Sequence, residues 1–199
     1  MFIDQICGAI CSAWSQWQSA ATLVGVVING VTAMGGQVIG PPWTPLILAA
    51  GPIKTPEATK MTQTVANVVG TAWLNFTATV KVLGMPWYPA FAAVPSPVAP
   101  PTPNVPCPFA ALMNIPTAIS KVTLKQQMVA MDGDPRATDH QNVFEALAEA
   151  FEQSFNLWKV STMVTNVLGT GPVPTFAPPY VPVGPVVGGV GTMTPGGFT

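Results

Sequence analysis

The chain has 199 residues, with seven Lys or Arg, eight Asp or Glu, and a net charge of −1. Charged residues make up 8% of it, against roughly 25% in an ordinary soluble domain. A hydrophobic content of 49% argues against disorder, and so sparse a charge leaves a surface that copies, partners or lipid must cover. The cations are scattered from Lys54 to Lys159 without a basic cluster, so no direct contact with nucleic acid is expected. Neither GxSxG, HExxH nor a phosphate-loop lysine is present, and His140 is the single histidine. We therefore expect no enzyme activity, no catalytic residue, no cofactor and no metal.

In chain order, Ile3, Ile6, Ile10, Trp14 and Trp17 keep a helical step, which the glycine-rich stretch 25–40 loosens. Residues 20–39 are uncharged, but Asn29, Gln37 and the glycines interrupt the apolar runs, and Pro41, Pro42 and Pro45 follow. A membrane span is disfavoured on those grounds. Thr55 with Pro56 and Glu57 reads as a helix start. Met61, Val65, Val68, Ala72, Trp73, Phe76 and Val80 continue the helix, and Gly84 is expected to end it as a left-handed cap. Residues 116–130 predict a further helix before the turn Asp132-Gly133-Asp134-Pro135.

Thr138-Asp139-His140-Gln141 fits a capping box opening a third long helix, with Gly169 as its stop. Phe144, Leu147, Phe151, Phe155 and Trp158 form its apolar stripe; Glu145, Glu149 and Glu152 form the polar face. Asp132, Asp134, Asp139 and His140 are read as turn and cap rather than as a metal site, since calcium-loop spacing is lacking. Cys7 and Cys11, one helical turn apart, have poor geometry for a mutual disulfide. Buried free thiols are expected at Cys7, Cys11 and Cys107, with an intersubunit disulfide as the alternative.

At an offset of 85 residues, positions 73–100 align without gaps on 158–185, with eleven of 28 positions identical, including Trp73/Trp158 and Val82-Leu83-Gly84/Val167-Leu168-Gly169. A shorter echo pairs VIGPPWTP at 38–45 with VLGMPWYP at 82–89. The chain thus reads as mainly α: helix-plus-extended-arm repeats over 1–53, 54–133 and 134–199, with long Pro/Gly-rich irregular segments. The arms 41–52, 86–108 and 172–199 are expected to be non-helical and extended. Trp43, Trp87, Tyr88, Phe91, Phe176, Tyr180, Val183, Val187 and Phe198 are their candidate interface anchors. The last arm is expected to be mobile in an isolated chain and dispensable for the helices.

Helices that each release an uncharged Pro/Gly arm, with the tail VPVGPVVGGVGTMTPGGFT, resemble small virion structural proteins of tailed phages and contractile injection machines. The resemblance implies assembly in rings or lattices through extended termini, in a virion or extracellular particle built in the host cytoplasm. The expected function is a structural subunit of a neck, tail, baseplate or shell, with copies of itself and other proteins of the particle as partners. The charge-free gaps motivate the alternative of a membrane-associated or pore-forming protein, and the proline arms a third, an adaptor docking aromatic grooves.

Overall fold

The computed structural model describes residues 2–87, 98–112, 119–134, 137–174, 176–177, 181–182 and 185–199. The chain forms two compact units, each assembled from three separate stretches. Met1–Gln18, Pro41–Thr79 and Ile115–Trp158 make a helical unit; Ser19–Gly40, Val80–Asn114 and Lys159–Thr199 make a sheet unit. Each long helix therefore belongs mainly to the first unit and runs on into extended chain of the second.

The helical unit holds α1 (Phe2–Ala20), α2 (Trp43–Ala50), α3 (Pro56–Thr79), α4 (Lys121–Asp132) and α5 (Thr138–Ser161). The start of α3 follows the expected chemistry: the Thr55 hydroxyl accepts from the Ala58 amide at 3.1 Å, with Pro56 in the first helical position. Ser120 caps α4, and Gly133 closes it in the left-handed conformation (φ 67°), which a side chain would strain. On α5 the capping box does not form as read. The Ala137 carbonyl already accepts from the amides of His140 and Gln141, so Thr138 lies inside the helix.

The first arm contains a helix, contrary to expectation. Pro42 is the N-cap of α2 and Pro45 its third residue, within the first turn where backbone N–H groups have no intrahelical partner to lose.

Aromatic packing organises this unit. Trp43 and Trp73 stack at 4.1 Å, Trp17 meets Trp73 edge-on at 4.8 Å, and Phe76 meets Phe155 edge-on at 4.8 Å. Trp14 touches Trp43, Trp73, Phe151 and Trp158 from one side. The predicted stripe of α5 is buried at Phe144, Leu147, Phe151 and Phe155, while Trp158 is half-buried and donates to Gln18 at 3.3 Å.

The sheet unit corrects the mainly α expectation: the fold is mixed, with a six-stranded antiparallel sheet. Its strands are β1 (Thr22–Asn29), β2 (Thr32–Ile39), β3 (Val82–Pro86), β4 (Val98–Pro103), β7 (Val167–Pro172) and β10 (Val187–Met193), in the order β3-β2-β1-β10-β7-β4. Two small pairs accompany it, β5 (Cys107–Pro108) with β6 (Met163–Val164) and β8 (Phe176–Ala177) with β9 (Val181–Pro182), together with a 3-10 turn at Phe109–Leu112. The glycine-rich stretch read as a loosened helix is the hairpin β1–β2, and the tail read as a mobile arm supplies β10, an interior strand between β1 and β7.

Gly84 and Gly169 do not cap helices. The helices stop earlier, at Thr79 and Ser161, and both glycines sit within strands, β3 and β7. The two aligned windows share the helix-to-strand order but not its detail, since β3 lies at the sheet edge and β7 in its interior. The shorter echo fails structurally as well. Trp43 opens a helix, whereas Trp87 bridges Asn104 beside the sheet.

Glycine at 169 has a packing reason. A Cβ there would approach Trp87 Cζ2 to 2.6 Å, so the bare backbone admits the indole over the inner face. Two asparagines, Asn104 buried and Asn29 exposed, tie the strands together. Asn104 donates to the carbonyls of Val105 and Val164 and accepts from the Val167 amide, and the Asn29 side chain accepts from the Gly188 amide at 2.8 Å. The prolines of β4 occupy the outer edge of the sheet, where no further strand asks for their amide hydrogens.

Candidate functional site

Two constellations stand out, one in each unit. In the helical unit, Asp132 at the end of α4 is buried, its side chain 3% exposed. Its Oδ2 lies 3.2 Å from His140 Nδ1, and its Oδ1 3.4 Å from Lys60 Nζ. His140 Nε2 lies 3.3 Å from Glu57 Oε1. An imidazole flanked this way donates to both carboxylates only as the cation. The knot joins the start of α3, the end of α4 and the start of α5. It also offsets the unfavourable placing of a carboxylate at a helix C-terminus.

Sequence reading places Asp132 and His140 together but misses Glu57 and Lys60, which lie far away in the chain. Among the described residues, the side chains within hydrogen-bond reach of the imidazole are the Asp132 and Glu57 carboxylates, so the contacts link three helix ends. Among the described residues no group of three His, Cys, Asp or Glu side chains is arranged to hold a metal ion. His140→Ala leaves the buried Asp132 carboxylate with Lys60 as its remaining ion-pair partner among the described residues and is expected to destabilise the helical unit by about 2 kcal/mol, measured by urea unfolding. His140→Phe, similar in shape but without donors, should not recover the loss.

On the polar face of α5, Glu145 pairs with Lys125 and, at 3.1 Å, with Lys121, which also reaches Glu149 at 2.8 Å. The hydrogen bond from Lys125 and then that from Lys121 hold the Glu145 carboxyl below its usual value. Bonds to Glu149 and Glu145 hold the Lys121 ammonium above its own. A depressed carboxylate adds stability above its unfolded value and loses it as pH falls through the folded one; a raised ammonium adds stability that is lost as pH rises through the folded value. The ladder thus acts across the range between the usual carboxylate and lysine values. Glu145→Gln should lower the melting temperature slightly at pH 7 and not at pH 2.5, and high salt should shrink the difference, since these groups are solvent-exposed. Equal melting-temperature losses at both pH values would contradict this.

Cys7 is half-buried, Cys11 exposed and Cys107 buried, all as free thiols. Burial, then the neighbouring Cys11 and Asp4, push the Cys7 thiol up, and burial does the same for Cys107. Raised values disfavour the nucleophilic thiolate. Cys7 and Cys11 line a shallow apolar groove with Trp14, Leu147 and Phe151.

The second constellation is the outer face of the six-stranded sheet. Opposed residues share a face, and the register aligns Met34, Val27, Val190 and Thr170 in one row across β2, β1, β10 and β7. A second row aligns Thr192, Leu168 and Pro103. Met34 is 52% exposed, Val27 44%, Val190 55% and Leu83 65%; Leu168, Val187 and Val98 are also exposed. No strand of this sheet carries an ionisable side chain. The sheet unit as a whole holds only Lys81 and Lys159, while all eight acidic residues lie in the helical unit. A contiguous exposed apolar surface of this kind is a candidate interaction site.

The sequence-predicted anchors that the structure describes divide between core and surface. Trp43, Trp87 and Phe198 are buried, Trp43 in the aromatic cluster and Phe198 edge-on against Phe109. Val187 is exposed on β10. Phe176 lies in β8, and Tyr88, Phe91, Tyr180 and Val183 lie outside the described residues. No helix among the described residues is long and apolar enough to cross a membrane; the stretch 20–39 that prompted the question contains the β1–β2 hairpin. Comparison with protein-family models, curated proteins and solved structures found no match to this chain.

Proposed function

We propose that this protein is a structural assembly subunit of a large particle, of the kind found in a virion neck, tail, baseplate or shell, and that it works by burial rather than catalysis. The observation that carries the reading is the partition of charge. One unit concentrates every acidic residue, while the other exposes a sheet face built of Val, Met, Leu, Thr and Gly with no charge. Water around such a face is costly at about 25 cal/mol per Å² of apolar surface, so covering it provides a driving force for association. The second and third arms contribute indirectly: they supply β4 and β10 to the sheet whose face is offered. Light scattering and electron microscopy of native material test the reading. Particles many times the mass of one chain are expected; a monodisperse monomer at micromolar concentration in plain buffer overturns it.

A further inference from the structure

We infer that the outer face of the sheet stacks on the same face of a second copy, forming a two-layer sandwich between chains; this rests on the assembly reading and names its first contact. Four observations favour a second copy as occupant. The face is open and two-dimensional, six strands wide. At about 4.8 Å per strand and about 3.3 Å per residue it offers roughly 500–600 Å², so a pair buries about 1,000–1,200 Å², at the threshold of a specific interface. The pattern is also self-complementary. β1 and β10 form the middle of the sheet, and Val27 opposes Val190 there.

A two-fold axis lying between the layers and running along the strands sets Val27 over the partner's Val190, and Val190 over the partner's Val27. This is the reciprocal contact that a two-fold interface requires. Finally, the absence of charge removes any repulsion between identical faces, while Thr170 and Thr192 beside the valines keep the layers thin enough to approach about 10 Å. A lipid surface fits less well. No strand of the face carries Lys or Arg for anionic headgroups or Trp or Tyr for the interface, and the exposed Gln37 amide would be costly to bury in hydrocarbon.

The test compares the full chain with the Val27→Lys/Val190→Lys double variant by light scattering, with circular dichroism to verify the fold. We expect the wild-type mass to fall at least twofold in the variant with the spectrum unchanged. A second measurement does not depend on disruption. In a Cys7→Ser/Cys11→Ser background, chains carrying Val27→Cys mixed with chains carrying Val190→Cys should oxidise to a disulfide-linked pair several times faster than either alone. An assembled wild type whose mass is untouched by the double variant, with no preferential cross-link, overturns the stacking and leaves the assembly reading standing. A monomeric wild type overturns both. Flotation of the wild type, but not the variant, with phosphatidylcholine vesicles overturns the stacking in favour of lipid.

Discussion

Deleting Val187–Thr199 is expected to abolish the sheet unit. β10 is the strand that joins the two halves of the sheet: Val26, Val27 and Ile28 of β1 pair with Gly191, Val190 and Gly189, and on its other side Val190 to Met193 pair with Thr170 to Val167 of β7. Removing it leaves a three-stranded piece, β3-β2-β1, and a two-stranded piece, β7-β4, the second below the size at which strands hold together in water. The last residues add to the loss. Met163 and Thr199 exchange two backbone hydrogen bonds at 2.7 and 3.0 Å, the Thr165 amide donates to the Gly197 carbonyl at 2.8 Å, and Phe198 is buried against Phe109. Hydrogen exchange is the direct measurement. Amides of Val27 in β1 and of Thr170 in β7 should move from protected to rapid exchange in the truncated chain. Unchanged protection there would mean that β10 is not a structural strand, and that the tail behaves as the mobile arm its composition suggests.

That contrast shows where sequence reading stops. The helices are legible because apolar residues recur at a helical period between recognisable ends: Thr55 caps α3 as its chemistry dictates, and four of the five residues of the α5 stripe are buried. The strands are hidden by their own packing. β7, VLGTGP, and β10, VGGVGTM, carry glycine where an alternating strand would show a large inward side chain, because Trp87 and neighbouring backbone occupy the inner face. Proline in β4 likewise reads as irregular chain, although at a sheet edge it is compatible with a strand.

A signal for the hairpin was available. The β-branched run TLVGVVIN ends in Asn29 before Gly30, a hairpin turn signature that the search for helical periodicity overrides. The exposed apolar face was legible only in outline. The charge-free gaps point to a covered surface, but the large aromatic residues chosen as its anchors are those whose burial contributes most to folding, and at Trp43, Trp87 and Phe198 the fold itself buries them. The face that remains exposed is made of smaller residues, Val27, Met34 and Val190, brought into one row by strand pairing that no local pattern specifies.

Trp73→Ala is expected to be the most destabilising single substitution in the helical unit. The side chain is 2% exposed and stands at the centre of the aromatic cluster, with ring contacts to Trp14, Trp17, Trp43, Phe76, Phe155 and Trp158 at centroid distances from 4.1 to 6.2 Å. These rings come from α1, α2, α3 and α5, so truncating the indole opens a cavity that no single neighbour can fill by changing its rotamer. Buried Trp→Ala changes cost about 3–5 kcal/mol, a large part of the roughly 5–15 kcal/mol that holds a domain together. A fall of more than about 10 °C in the melting temperature of the helical unit follows for a domain of this size. Trp158, its sequence-repeat counterpart, is half-buried and lies at the rim of the same cluster, so Trp158→Ala should cost clearly less. Trp73→Phe separates packing from hydrogen bonding. Among the described residues the buried Trp73 indole N–H meets no hydrogen-bond partner, so replacing it with Phe removes an unsatisfied donor while keeping a ring in the stack, and should recover most of the alanine loss. Thermal melts of the three variants, followed by far-ultraviolet circular dichroism, order them. Equal losses for Trp73→Ala and Trp158→Ala would show that the cluster has no centre and that the two repeat positions are interchangeable after all.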